Sequence, residues 1–318
     1  MKVFYGVQYA YVDVSEKVAQ HCVKDNKMIL PKTDPERAAI FQDHLGGILK
    51  HIKITAPGRP DKIIASGETC EIQLNEENEL DLQPWIRDVN DNLRSWYHTD
   101  GKLISDPTER LEEIHKRLIF QHGNPRHEYP EQELAMQFIG PDSVVLEIGA
   151  NIGRNTCLIA TLLSDDRNLV TLETMSDSVK KLQDNRDLNG FRFHIEPSAL
   201  SKQPLIQSMW WSEVSDVVRP GYVKVNTITW TQLLEKYPLP FDTLVADCEG
   251  ALYHILLDEP DMLKHFRTII VENDYTQPHQ YPTVMDIFKK YGFEVACTRS
   301  GGGGFCQHCF YQVFVKPR

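Results

Sequence analysis

The second half of the sequence alternates short apolar runs with longer amphipathic runs, and this alternation limits the fold more than any other feature. From about Tyr129 onward, five apolar runs with the composition of strands are each followed by a run with helical spacing. Two more strand-like runs, "FEVACTR" and "CFYQVFVKP", end the chain and are joined by a short glycine-rich loop. Strands separated by helices form a mostly parallel sheet covered on both faces. We therefore expect an α/β fold whose last two strands form an antiparallel hairpin at the sheet edge.

The first part of the chain has a different pattern. Up to about Leu82, short runs such as "KHIKITA", "DKIIASG" and "CEIQL" alternate apolar and polar residues, with Gly and Pro between them. A helix is expected over 106–120, because Asp106 can cap it and Pro107 suits its first position. The chain is thus expected to comprise three parts: a small β-rich domain (1–85), a linker with a helix (86–125) and an α/β domain (126–318).

Charge and cysteine content bear on partners and location. The 318 residues carry a net charge of −11, whereas a general nucleic-acid binder has a basic footprint, so no nucleic-acid partner is expected. No apolar run approaches the roughly 20 residues that span a bilayer, and the N-terminus lacks the apolar core of a signal peptide. Seven scattered cysteines do not form a secreted disulfide framework. We expect a cytoplasmic protein without a membrane span.

The run "VVLEIGANIGRNT", from Val144 to Thr156, carries the first sign of a ligand site. It lies between the first apolar strand of the α/β domain and its helix, where ligands bind in such sheets. Gly149 allows a sharp turn and a close approach to the backbone, and Gly153 allows close packing of the helix start. The two glycines alone fit an ordinary strand-to-helix turn equally well.

Glu173 favours a nucleoside ligand. It ends the next strand-like run, 24 positions after Gly149, where an acid can accept both ribose hydroxyls. Its alternative role is that of an acid at a helix N-terminus, favoured by the helix dipole. The turn lacks the dinucleotide fingerprint G-x-G-x-x-G, and Glu147 precedes its first glycine. S-adenosylmethionine has no pyrophosphate and carries a sulfonium and an ammonium, so an acid near the turn favours it over a dinucleotide.

These motifs resemble the FkbM family of S-adenosylmethionine-dependent methyltransferases over about 129–318. The similar runs are "VVLEIGANIGRNT", "LVTLETMSDSVKKLQDNRDLNG", "EPSALS", "VKVNTITWTQLLEKY", "FDTLVADCEGALYHIL" and "TIIVEN". The chain has "LET" where the family usually has "FEP", and "DCEG" where "DVEG" is common, and neither change removes a carboxylate. The resemblance implies a Rossmann-like class I methyltransferase domain that methylates hydroxyl groups, often on sugars. It does not extend to the first 125 or so residues.

The resemblance also implies which residues contact S-adenosylmethionine. They are the glycine turn around the methionine part (Glu147, Gly149, Asn151 and Gly153), the start of the following helix (Asn155 and Thr156), the ribose-binding Glu173, and Ser198 and Ala199 beside the adenine. For Ser198 and Ala199 an ordinary loop is an equally good interpretation. The polar segment His122–Glu133 is a further candidate to cover the cofactor, through Tyr129 and Glu131, or is a solvated linker.

Acidic residues at two later strand ends are the candidate catalytic groups. A sugar hydroxyl is a poor nucleophile at neutral pH and needs a base or a metal ion. Asp247 and Glu249 in "VADCEG" are expected to supply the base or to anchor the acceptor, and Glu272 in "IVEND" to bind a further hydroxyl. Trp210 and Trp211 offer aromatic faces, although core or lid packing is favoured for them. A divalent cation is an alternative occupant of the acid group, but no metal motif indicates one.

The sequence thus predicts a methyltransferase that acts on a hydroxyl of a sugar or glycan. The alternatives are methylation of protein or of an RNA ribose, and a non-catalytic adapter that keeps the nucleoside site. The N-terminal domain has two candidate roles, acceptor binding and homodimer formation, and no motif decides between them. The acceptor, the hydroxyl methylated and any need for metal are not specified by the sequence.

Overall fold

The computed structural model describes residues 1–7, 10–42, 49–56, 59–75, 79–82, 98–99, 102–103, 107–302 and 304–317. Their strands are β1 Lys2–Val7, β2 Ala10–Asp13, β3 Val23–Lys24, β4 Lys27–Leu30, β5 His51–Ala56, β6 Arg59–Ile64, β7 Cys70–Gln73, β8 His98–Thr99, β9 Lys102–Leu103, β10 Val145–Ile148, β11 Leu169–Leu172, β12 His194–Glu196, β13 Ala199–Leu200, β14 Leu205–Ser208, β15 Trp211–Val214, β16 Val223–Val225, β17 Thr227–Ile228, β18 Thr243–Ala246, β19 Thr268–Glu272, β20 Glu294–Arg299 and β21 Tyr311–Val315.

The described α-helices are α1 Ser15–His21, α2 Asp34–Phe41, α3 Pro107–Arg117, α4 Tyr129–Phe138, α5 Arg154–Leu162, α6 Ser176–Leu188, α7 Trp230–Lys236, α8 Ala251–Asp258 and α9 Gln280–Lys290. Short 3-10 turns occupy Pro125–Glu128, Asp166–Asn168, Pro260–Lys264 and Gly304–Cys309. None of these helices is long and apolar enough to cross a membrane.

The described residues form two compact units. The first is drawn from Met1–Arg87, Lys116–Gln121 and Leu188–Gly190, and the second from Asp88–His115, His122–Asp187 and Phe191–Arg318. The linker predicted over 86–125 falls partly outside the described residues, as does Asp106, the predicted helix cap.

The first unit contains two small antiparallel sheets. One has the order β2-β1-β5-β6 and the other β3-β4-β7. In β5, Ile52 and Ile54 are buried while their neighbours are partly exposed, which is the period-two pattern expected of a sheet with one buried face. The prediction of a small β-rich unit ahead of the α/β fold is confirmed.

Two helices in this unit were not predicted. Helix α2 begins with a capping box, in which the Thr33 hydroxyl accepts a hydrogen bond from the Glu36 amide and the Glu36 carboxylate accepts one from the Thr33 amide. The run "TDPE" carries this signal in the sequence. No helix was predicted from this capping signal, because the runs around it have the pattern of strands.

The second unit contains a sheet of seven described strands in the order β12-β11-β10-β18-β19-β21-β20. All are parallel except β21, which is antiparallel to both of its neighbours. The predicted Rossmann-like class, with a mostly parallel sheet and an antiparallel edge hairpin, is confirmed. Within the hairpin, the last strand β21 lies inside and β20 forms the edge.

The strand order determines where a ligand can bind. The chain runs outward from β10 to β12 on one side, then returns to β18 and continues outward on the other. A crevice forms outside the carboxyl ends of strands at such a reversal. Strands β10, β11 and β18 are buried along their whole length, because both faces of the sheet are covered. The crevice at the ends of β10 and β18 therefore rests on fully buried strands.

A small antiparallel sheet in this unit was not predicted. Strands β14, β15 and β16 pair in the order β15-β14-β16. Trp210 lies in its first turn and Trp211 begins β15, and both are about half exposed. The two tryptophans are therefore surface residues of this small sheet and not part of the core.

Candidate functional site

A cavity of about 570 Å³ opens at the carboxyl ends of β10, β11 and β18. This volume is typical of small-molecule sites, which span roughly 300–1,000 Å³. Of the site residues predicted from the sequence, those that line it are Gly149, Asn151, Glu173, Ser198, Ala199, Asp247 and Glu249. The fold thus brings Gly149 and Glu249, which are 100 positions apart in the chain, to the same cavity.

Gly149 brings the glycine turn against the end of β18. Its φ of +96° is in the region that favours glycine, and a Cβ there would lie 1.6 Å from the carbonyl oxygen of Asp247. The amides of Gly149 and Ala150 both donate to the Leu172 carbonyl, at 3.0 and 3.1 Å. The turn is thereby fixed between the ends of β11 and β18, and no larger residue fits at Gly149.

The Glu173 carboxylate is held at the cavity wall by two backbone amides. Its Oε2 accepts from the Asn151 amide and its Oε1 from the Met175 amide, each at 2.8 Å. The side chain is largely buried, with the residue 8% exposed, and burial raises its pKa. A carboxylate has about four acceptor positions, so each oxygen can accept a further hydroxyl. The hydrogen bond from the Met175 amide, just before α6, corresponds to the alternative role of an acid at a helix N-terminus. Glu173 also lines the cavity, so this role is compatible with a ligand contact.

Ser198 and Ala199 form the next part of the wall, after β12. The Ser198 hydroxyl donates to Glu196 at 2.7 Å, and the Ala199 amide donates to the Asn226 carbonyl at 2.8 Å. Glu196 is anchored in turn by the Lys236 ammonium at 2.7 Å. This loop is therefore held in place on both sides.

Glu147 lies outside the cavity lining, although the family resemblance places it near the cofactor. It is 2% exposed, and its Oε2 accepts from the hydroxyls of Thr156 at 2.5 Å and Thr171 at 2.6 Å. Burial raises its pKa to about 7. Glu147 thus ties β10 to β11 and to α5, beneath the turn, and Thr156 serves the same link.

Gly153 and Asn155 also lie outside the lining. Gly153 has a φ of +91°, and a Cβ there would lie 2.5 Å from the Leu182 side chain, so it permits the close helix packing that was predicted. Asn155 is buried, and its Nδ2 lies 3.4 Å from Glu131 Oε2.

The predicted acids meet at the ends of β18 and β19, which are neighbours in the sheet. Asp247 is half-buried and lines the cavity, and Glu249 is more exposed beside it. Burial, followed by the negative charge of Glu272, raises the pKa of Asp247 well above its usual range and also raises that of Glu249. Glu272 is not among the lining residues, so the structure brings the three acids together but presents only two to the cavity.

Two further groups adjoin these acids. Glu131 of α4 joins Asp247 and Glu272, with one carboxylate oxygen of each within 4.8 Å of the others. Tyr311 stands opposite Glu272 in the ladder between β19 and β21, and burial with the charge of Glu272 raises its pKa. Glu131 was a candidate contact in the sequence, whereas Tyr311 carried no signal, because its position depends on strand register.

No protein-family model matches the chain, and no curated protein matches it. Solved structures similar to it include a ribosomal protein L11 methylase from Lactobacillus delbrueckii subsp. bulgaricus, with 13% identity, a TM-score of 0.37, and coverage of 59% of this chain and 80% of that one. A second is an rRNA methylase from Streptococcus thermophilus, with 9% identity, a TM-score of 0.37, and coverage of 62% and 98%. A third is a precorrin-6y C5,15-methyltransferase from Geobacter metallireducens GS-15, with 14% identity, a TM-score of 0.37, and coverage of 58% and 87%. At these identities and scores, the similarity carries no information about the function of this chain.

Proposed function

We propose that this chain is an S-adenosylmethionine-dependent methyltransferase that acts on a hydroxyl of a sugar or glycan. The observation that carries the proposal is that Glu173 and the acid pair Asp247 and Glu249 line one cavity, on either side of the Gly149 turn. A group suited to ribose hydroxyls and groups suited to proton transfer thus share a space of ligand size.

The lining fits this cofactor better than a dinucleotide. Neither lysine nor arginine occurs among the described lining residues, so a pyrophosphate would have no cationic partner there. Leu172 and Leu200 give an apolar wall next to Ser198, which suits an adenine ring. When bound, the cofactor supplies a methyl group activated by its sulfonium.

Asp247 and Glu249 supply the base or the acceptor anchor. A raised pKa makes a carboxylate a better proton acceptor near neutral pH, and both groups have a raised pKa. The resemblance to FkbM proteins supports a hydroxyl acceptor. Trp210 and Trp211 line the same cavity and offer faces on which a sugar ring can pack.

Calorimetric titration with S-adenosylmethionine and with S-adenosylhomocysteine tests the cofactor site. Wild type is expected to bind with micromolar affinity, and Glu173→Ala to bind at least tenfold more weakly. Glu235→Ala is the matched control, because Glu235 is exposed on α7 and does not line the cavity. Thermal melting checks that each variant is folded. Absence of binding by folded wild type, with and without candidate acceptors, would overturn the proposal.

Transfer of a labelled methyl group to a panel of sugars and glycans tests the reaction. Asp247→Asn is expected to lower the turnover rate by about 100-fold or more, with the cofactor affinity unchanged, since general bases contribute about 10²–10⁴-fold. Full activity in this variant would exclude the role given to Asp247. Label found in protein or RNA and in no sugar would show that the acceptor class is wrong.

A further inference from the structure

Two cysteines lie on the same side of the turn that joins β20 to β21. Cys306 and Cys309 belong to the 3-10 turn Gly304–Cys309. Side chains three positions apart eclipse in a 3-10 helix, which rises about 2.0 Å per residue, so the two Cα atoms are about 6 Å apart. The Cys306 thiol is within hydrogen-bonding reach of the Cys309 thiol. This spacing is that of a disulfide, which joins Cα atoms about 4.4–6.8 Å apart.

The surroundings of this cysteine pair favour a bond between the sulfurs over a bound metal ion. No group of three metal-binding side chains among the described residues includes either cysteine, whereas a structural zinc ion takes four ligands. Both thiols are free. Gly302 and Gly304 have positive φ values at the start of the turn, and glycine backbone adjusts with little steric cost. The turn can therefore accommodate the torsion of a disulfide.

The two cysteines differ in their access to solvent. Cys306 is 2% exposed and packs in the core of the second unit, whereas Cys309 is half-buried. Burial, followed by the neighbouring Cys309, raises the pKa of the Cys306 thiol to about 11. Cys309 is therefore the thiol that an external oxidant meets first. Cys306 is a poor leaving group once a disulfide has formed, because leaving tendency falls as thiol pKa rises.

We propose that Cys306 and Cys309 form a reversible disulfide by exchange with a low-molecular-weight disulfide such as oxidised glutathione. The Cys309 thiol loses its proton, and its sulfur attacks one sulfur of the small disulfide, which forms a mixed disulfide and releases one small thiolate. The Cys306 thiol then loses its proton, and its sulfur attacks the Cys309 sulfur and releases the second small thiolate. Two protein thiols are thus oxidised by two electrons, and the small disulfide is reduced to two thiols, which take up the two protons.

The disulfide would restrain a turn that is bonded to the end of β19. The Cys309 carbonyl accepts a hydrogen bond from Asn273 Nδ2, and the Phe310 carbonyl accepts one from the Asn273 amide, both at 2.6 Å. Asn273 directly follows Glu272, one of the candidate acids. Oxidation therefore restrains the backbone next to the candidate site, whether or not the site has the proposed function.

Treatment of the folded protein with oxidised glutathione, then alkylation of the remaining thiols, trypsin digestion and mass spectrometry, tests the disulfide. Trypsin releases a peptide of residues 300–318, in which Cys306 and Cys309 are the only cysteines. In wild type this peptide is expected to be two hydrogen atoms lighter and not alkylated. Cys306→Ser is expected to stop at the mixed disulfide on Cys309, and Cys309→Ser to react at least tenfold more slowly, because its remaining thiol in the turn is buried. Cys297→Ser is the matched control and should form the disulfide, because Cys297 is half-buried like Cys309 but lies on β20.

Thermal melting provides a second measurement. Oxidised wild type and oxidised Cys297→Ser are expected to melt at a higher temperature than their reduced forms, because a closed loop restrains the unfolded chain, and dithiothreitol should reverse the change. Absence of the internal disulfide in folded wild type, equal rates of thiol loss in the peptides of Cys309→Ser and wild type, or a lower melting temperature after oxidation would overturn the proposal. Circular dichroism establishes that the variants are folded. None of these measurements uses cofactor or acceptor, so their outcome is independent of the proposed function.

Discussion

Replacing Glu147 by glutamine should remove a pH dependence of stability that the structure assigns to this one side chain. Burial raises the pKa of Glu147 from its ordinary value of 4.5 to about 7. Between pH 4.5 and pH 7, Glu147 is therefore protonated in the folded protein and deprotonated in the unfolded chain. The stabilisation from this proton is full below about pH 4.5 and is lost as the pH rises through 7. The pKa difference of about 2.5 corresponds to about 3.4 kcal/mol in total. About 2.5 kcal/mol of this is lost between pH 5 and pH 8.

Urea unfolding at several pH values between 5 and 8 measures this effect. Glutamine keeps an oxygen that can accept from the hydroxyls of Thr156 and Thr171, and it does not titrate. The free energy of unfolding of wild type is expected to fall by about 2.5 kcal/mol more than that of Glu147→Gln over this range. Glu235→Gln, on the exposed face of α7, should follow wild type. Parallel pH curves for wild type and Glu147→Gln would show that the proton is not held by Glu147.

Three further substitutions test the structure. Gly149→Ala should lower stability by about 2 kcal/mol or more and abolish cofactor binding, since its φ is +96° and its Cβ would meet the Asp247 carbonyl; a normal melting temperature would refute this. Phe266→Ala should cost about 3–5 kcal/mol in urea unfolding, because Phe266 is fully buried against Trp230; a loss below 1 kcal/mol would contradict the packing. Trp211→Ala should raise the KM for a sugar acceptor with an unchanged Kd for S-adenosylmethionine, and an unchanged KM would place the ring outside the acceptor site.

The α/β fold was predictable because its signals are local. Apolar runs of strand length, separated by helical spacing, identify strands that are buried on both faces. The positions of Gly149 and Glu173 follow from the same pattern, since a ligand turn and an acid sit at the ends of consecutive strands. Strand order within the hairpin was not specified, because it depends on which of β20 and β21 pairs with β19.

The small sheet at β14–β16 was missed for a different reason. Its strands are short and largely exposed on at least one face, so hydrophobic periodicity is weak. Helix α2 was missed despite its capping box, because one cap signal carries less weight than the strand-like runs around it. In the small sheet, pairing between the strands decided the structure.

The placement of Glu147 shows the limit of reasoning from a motif. Its nearness to Gly149 in sequence suggested a cofactor contact, but side-chain direction alternates along a strand. In the parallel ladder Glu147 is in register with Thr171, so the carboxylate meets the threonine hydroxyl on the same face. A buried threonine in an apolar strand was the available signal for this pair.

The buried acids differ in the number of hydrogen-bond donors that the chain places around each carboxylate. This difference separates their roles. Glu147 receives two hydroxyl donors and lies outside the cavity, so it needs nothing further. Glu173 receives two amides and keeps lone pairs toward the cavity, which suits a neutral donor such as a ribose hydroxyl. Around Asp247 and Glu272, burial, the charge of Asp247 and a hydrogen bond with Glu272 raise the pKa of Glu131, so these neighbouring carboxylates share a proton. The same residue type thus forms a structural link at Glu147 and, in the proposed function, a nucleoside contact at Glu173 and a proton-sharing group at Asp247, according to the donors around each carboxylate.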